Sequence, residues 1–120
     1  MIDIHAHILP FIDDGSDSLE KSLEMLKSEA NIGVTDVICT PHYRNIYKKR
    51  KDEIIDIFED FKAQADKAQI PIKLHLGQEI YVSQTDIKAM LKNGSLLTLN
   101  QSRWVLVEFD FARRAEIAET

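Results

Sequence analysis

Four short runs rich in aliphatic residues recur along this chain: MIDIH at 1–5, VTDVICT at 34–40, IKLHLGQEIYV at 72–82 and RWVLVEFDF at 103–111. Runs of this length bounded by turn residues read as strands. The stretches between them repeat their apolar residues at helical spacing. Leu19, Leu23, Leu26 and Ala30 form one such face, closed by Gly33. Ile54, Ile55, Phe58, Phe61, Ala65 and Ala68 form a second, followed by Pro71. A shorter helix is expected from Ser83 to near Gly94, then a segment at 96–100 ahead of the last strand. The tail, ARRAEIAET, reads as the first turns of one more helix. Strand–helix alternation repeated four times is the signature of parallel βα units, so the expected class is α/β with four such units. Residues 1–120 are expected to form a single domain.

Composition narrows the function. The chain is 44% hydrophobic and 29% charged, an ordinary balance for a packed globular domain. A net charge of −5 argues against a general nucleic-acid binder, which carries a basic face. Cys39 stands alone, so no internal disulfide can form, which fits a reducing compartment. No run approaches the roughly 20 apolar residues of a membrane span. The start, MIDIHAHILPF, lacks the basic segment of a secretory signal. A cytoplasmic protein without membrane insertion is therefore expected.

In parallel α/β folds functional side chains gather where strands end, because those ends share one rim with the following loops. His5 and His7 end the first strand, His42 follows the second, Glu79 lies late in the third and Glu108 ends the fourth. From His7 onward these residues are 35, 37 and 29 positions apart, each about one βα unit. Five ligand-type side chains thus reach one rim. Residues i and i+2 of an extended segment point the same way, so His5 and His7 can grip one cation. Imidazoles mixed with carboxylates, and no cysteine, suit a hydrolytic metal site rather than a structural zinc finger. Each residue also has a plainer use. Asp13 and Asp14, before Gly15, can simply make a turn. Glu79 and Glu108 can pair with Lys or Arg. His75 shares strand parity with Lys73 and is expected on the outer face. Cys39 reads as a buried strand residue.

The motifs MIDIHAHILP…DDG, CTPHY, GQEIY and VEF, in that order across all 120 residues, resemble the PHP (polymerase and histidinol phosphatase) superfamily. More narrowly they resemble its bacterial protein-tyrosine phosphatases, which act on the tyrosine kinases of capsular and exopolysaccharide synthesis. The resemblance implies the N-terminal part of a distorted βα barrel with up to three metal ions, usually manganese, with iron or zinc as alternatives. Carried over by motif, His5 and His7 bind one metal and Glu79 bridges it to a second, which Glu108 also binds. Asp14 and His42 bind the third. The implied reaction is metal-assisted phosphomonoester hydrolysis of a phosphotyrosine protein. Cys39 has no phosphate-binding loop around it, so a cysteine nucleophile is not expected. Arg44 is the arginine nearest a ligand loop and is expected to contact phosphate.

The family pattern continues into an AHPER-type motif and an Asp-x-His that these residues do not contain. A full barrel needs roughly 200–250 residues. The expectation is a fragment of a longer product, or half of an assembly that can self-associate through open sheet edges. Two other readings remain: an amidohydrolase or TatD-like metal hydrolase, and an inactive metal-binding chain.

Overall fold

A computed structural model describes residues 1–44, 47–82 and 86–109. The chain is α/β, and every strand pairing between named strands is parallel. In chain order the elements are β1 (Ile2–Ala6), α1 (Leu19–Asn31), β2 (Asp36–Cys39), β3 (His42–Tyr43), α2 (Lys51–Lys67), β4 (Lys73–Leu76), β5 (Glu79–Tyr81), α3 (Ile87–Lys92) and β6 (Leu106–Glu108), with a 3-10 turn at Leu99–Gln101 before β6.

One expected strand is broken in two, and one strand forms where a loop was expected. The second run ends at Thr40-Pro41, because proline has no N–H to continue a ladder, and β3 follows in the next residues. The third run splits at Gly77-Gln78. The six strands sort into two three-stranded sheets, β1-β2-β4 and β3-β5-β6. Backbone bonds stitch the breaks together: Gly77 N–H donates to the Cys39 carbonyl at 2.8 Å, and Glu79 N–H to the Pro41 carbonyl at 2.9 Å. A side chain at Gly77 would approach Leu99 Cδ2 to 2.7 Å, so the glycine lets the 3-10 turn lie against the bend. The last strand is shorter than its apolar run, only Leu106–Glu108. The expected start of the third helix at Ser83 and the helical tail at 112–120 lie outside the described residues.

The helices follow their sequence signals closely. The Ser18 side chain accepts the Lys21 N–H and starts α1. Gly33, at φ +93°, ends it in a conformation glycine adopts without penalty. On α2, Ile54, Phe58, Phe61 and Ala65 are buried, whereas Ala68 is exposed because the helix stops there. Together with Leu26 of α1 they pack on Val37, Cys39 and Leu74 of the first sheet. Ile8, Leu9 and Ile12 of the loop after β1 join the same core. That loop is therefore a packed wall under the site rather than a solvated connection. β1 behaves differently: Ile2 and Ile4 remain 62% and 53% exposed.

Candidate metal centre

Strand register builds the site. His42 lies directly beside Glu79, and Tyr81 beside Glu108. Side chains alternate along a strand, so His42 shares a face with Glu79 and with Glu108 across the sheet. His5 and His7 arrive at the same place from β1 and its exit. His5 Nε2 lies 2.9 Å from Glu79 Oε2, and His7 Nε2 lies 3.1 Å from Glu79 Oε1. The two Nε2 atoms are 3.2 Å apart. The rings of His7 and His42 stack at 4.2 Å.

Glu79 is therefore the hub. His42 Nδ1 approaches its Oε1 to 3.0 Å and Glu108 Oε1 to 3.6 Å. Yet His42 Nδ1, Glu79 Oε1 and Glu108 Oε1 are all buried and make no aligned hydrogen bond among the described residues. A buried polar atom left unsatisfied costs about 1–3 kcal/mol. Three of them converging, two from carboxylates, form the environment a cation relieves. Ligand atoms of His5, His7 and Glu79 lie within 4.8 Å of one another, as do those of His42, Glu79 and Glu108. The donor set fits a divalent ion of the Mn, Fe or Zn type: imidazoles and carboxylates without thiolate.

The remaining sequence candidates fall less simply. Asp14 is 69% exposed, with Oδ1 3.9 Å from His42 Nε2. Arg44 donates from Nη1 to Glu108 Oε2 at 2.8 Å and lies 4.3 Å above the Tyr81 ring. Its guanidinium is thus beside the cluster but already engaged. His75 and Asp36 form a separate pair at 3.0 Å on the other side of the strands. Cys39 is fully buried, and burial pushes its thiol up to about 12.

Asp13, by its sequence pattern only a turn former, is held at the centre of the cluster. Its side chain is 1% exposed. Oδ1 accepts the Gly15 N–H at 2.9 Å, and Oδ2 accepts the His42 N–H at 2.9 Å. Oδ2 also lies 3.0 Å from His7 Nδ1. Burial pushes the Asp13 carboxyl up, but the bonds from His7, His42 and Gly15 outweigh it and hold it below the usual carboxylate range. His7 is raised, first by its hydrogen bond to Asp13 against the opposing effect of burial, and further by the charges of Asp13, Glu79 and Asp14. The available signal was Asp-x-Gly: an aspartate bonding the N–H two residues on turns the chain with one oxygen and keeps the other free. Gly15 is obligatory in that turn, because a Cβ there would sit 2.3 Å from the His7 carbonyl oxygen.

Fold and cluster together give a parallel α/β chain whose strand ends assemble a histidine–carboxylate cluster that could hold a metal ion. The chain belongs to the capsular polysaccharide synthesis CpsB/CapC family, whose model matches residues 1–119. It is 34% identical over 120 residues to the tyrosine-protein phosphatase YwqE of Bacillus subtilis, covering 99% of this chain and 47% of that protein. Tyrosine-protein phosphatase CpsB of Streptococcus agalactiae is 34% identical over 110 residues, 91% of this chain and 45% of the relative. A chain from the crystal structures of YwqE from Bacillus subtilis and CpsB from Streptococcus pneumoniae, described there as unique metal-dependent tyrosine phosphatases, superposes with a TM-score of 0.86 at 35% identity. That match covers 92% of this chain and 45% of the other. The chain spans about half the length of the curated relatives it matches.

Proposed function

We propose that this chain carries the N-terminal part of a metal-dependent protein-tyrosine phosphatase acting in capsular or exopolysaccharide synthesis. The observation that supports it best is the convergence of three buried, unsatisfied atoms, His42 Nδ1, Glu79 Oε1 and Glu108 Oε1, on one space beside His5 and His7. The relatives' activity as tyrosine-protein phosphatases supports the reaction class.

In this reading His5, His7 and Glu79 would hold one ion and Glu79 and Glu108 a second, in the space that His42 Nδ1 faces, while His42 Nε2 with Asp14 would hold a third. Manganese is the expected ion, with iron or zinc as alternatives. Such ions supply Lewis acidity and an activated water for attack on a phosphomonoester. The chain's own residues set the geometry. Glu79 presents both oxygens, one toward His5 and one toward His7 and His42. Arg44 keeps one oxygen of Glu108 occupied, leaving the other turned inward. Arg44 would exchange that bond for a phosphoryl oxygen, supplying a positive group where charge develops. The substrate class is a phosphotyrosine protein, with a bacterial tyrosine kinase as the partner, in the cytoplasm. The PHP-type barrel, of which these strands supply one part, is the proposed complete fold.

The deciding experiment is Mn²⁺ titration of the metal-free chain by calorimetry, with elemental analysis, followed by p-nitrophenyl phosphate hydrolysis with and without Mn²⁺. Binding that is lost in Glu79→Gln is expected. Turnover from these 120 residues alone should be weak, because a misplacement of about 1 Å can cost about 100-fold. A chain that takes up no Mn²⁺, iron or zinc ends this reading.

A further inference from the structure

We propose that Asp13 is a positioning residue: it fixes the tautomer and ring orientation of His7 and ties that ring to the His42 backbone, without itself serving as a ligand. The inference rests on the metal-centre reading above. An ionised carboxylate only accepts, so His7 Nδ1, 3.0 Å from Asp13 Oδ2, must carry the proton of that bond. Nε2 of the neutral ring is then a lone pair. It is the nitrogen that faces Glu79 Oε1 at 3.1 Å and His5 Nε2 at 3.2 Å. The two ring nitrogens therefore divide their work, one held by Asp13 and one presented to the cluster. Metal-binding histidines are commonly held this way by an outer carboxylate.

Ligand atoms of His7, Asp13 and His42 also lie within 4.8 Å of one another, but the Asp13 carboxylate is already engaged. Its two oxygens already receive three N–H donors, from Gly15, His42 and His7. Its side chain is almost fully covered. Those same donors give it a wider reach than its neighbour Asp14. Asp13 joins the His-x-His, Asp-Asp-Gly and Pro-His segments in one bonded knot, so the approach of His7 to His42 is set before any ion arrives. Gly15 completes the knot by permitting the turn to lie against His7.

The test combines metal-free NMR with metal titration. Imidazole ¹⁵N–¹H correlation spectra of the ¹⁵N-histidine-labelled, metal-free chain at pH 8 report each ring's tautomer, with His7 assigned by its loss in His7→Gln. The wild-type ring should be the Nδ1–H form. Asp13→Ala should return it toward the Nε2–H form that a free imidazole prefers. Asp13→Asn keeps the volume and one acceptor but loses the charge. It should weaken Mn²⁺ binding by roughly 10–100-fold with the number of bound ions unchanged. If Asp13→Ala fails to fold, the wild-type tautomer and the Asp13→Asn titration still decide. An Nε2–H ring in the wild type overturns the proposal. So does Asp13→Asn binding within about twofold of wild type while its melting temperature falls, because Asp13 would then only support the loop. Loss of one whole ion in Asp13→Asn would make it a ligand and overturn it as well. Wild-type chain that binds no Mn²⁺ would fell the phosphatase reading instead, and the metal-free tautomer would still judge the hold of Asp13 on His7.

Discussion

Single side chains separate chemistry from structure in this protein more sharply than residue types do. Cys39 is the one nucleophilic thiol, and its burial with a pKa near 12 makes it inert. Iodoacetamide at pH 8 should leave the folded chain unmodified by mass spectrometry and label it fully in denaturant; rapid labelling of folded chain would contradict the burial. Asp36 gives a pH-dependent example away from the candidate metal centre. Its carboxyl is held low, first by the hydrogen bond from His75 and then by Thr35, while burial opposes. A depressed folded pKa gives stability that is complete above the unfolded value, near 4, and is lost as pH falls through the folded one. Asp36→Asn should therefore melt slightly lower than wild type at pH 7, and the gap should close below about pH 4. A gap that widens on acidification would reverse the sign. His75 was legible as an outer-face residue from strand parity alone. Asp13 was not, because which of two adjacent aspartates turns inward depends on the packing of the loop, not on the pattern of either residue.

At the level of elements, helices were read well and strands only in outline. The apolar faces of α1 and α2 carry a 3.6-residue signal that tertiary packing reinforces, so Leu26, Phe58 and Phe61 went where the period placed them. The third apolar run, by contrast, is continuous in sequence and broken in space, because a glycine permits a bend without announcing one. That break has a functional result: it resets the register so that Glu79 meets His42 in the second sheet. The loop after β1 hides as much. Its Asp-Asp-Gly reads as turn chemistry, while Ile8, Leu9 and Ile12 bury it against the core. Gly15→Ala tests the loop as a unit. A Cβ would lie 2.3 Å from the His7 carbonyl oxygen and 2.5 Å from its Cβ, so the backbone must move. Overpacking of this kind costs about 1–3 kcal/mol. Chemical denaturation should show that loss, and Mn²⁺ affinity should fall with it, since His7 shifts. Unchanged stability would mean that the loop can open at no cost.

Over the whole molecule the unresolved tension is at the edges. Among the described residues β1 pairs only with β2, and β6 only with β5. Along β1 the apolar residues Ile2 and Ile4, and Met1 just before it, stay exposed, whereas the buried core lies under the helices. His5 N–H turns back to the Asp3 side chain at 3.0 Å, yet most of the strand presents an unblunted edge. Flat apolar edges of this sort recruit another strand. Burying a side chain the size of isoleucine is worth about 1.5–3 kcal/mol, a large share of a typical total of about 5–15 kcal/mol. A second copy is the partner always available in a pure sample. Light scattering on these 120 residues at micromolar concentration should therefore give a mass above that of the 13.8 kDa monomer. Ile4→Lys places a charge on the edge without touching the core, so it should shift the sample toward monomer and leave the helical signal in circular dichroism unchanged. A wild-type chain that stays monomeric and unfolds cooperatively would show that the β1 edge is tolerated in water, and the self-association would have to be abandoned.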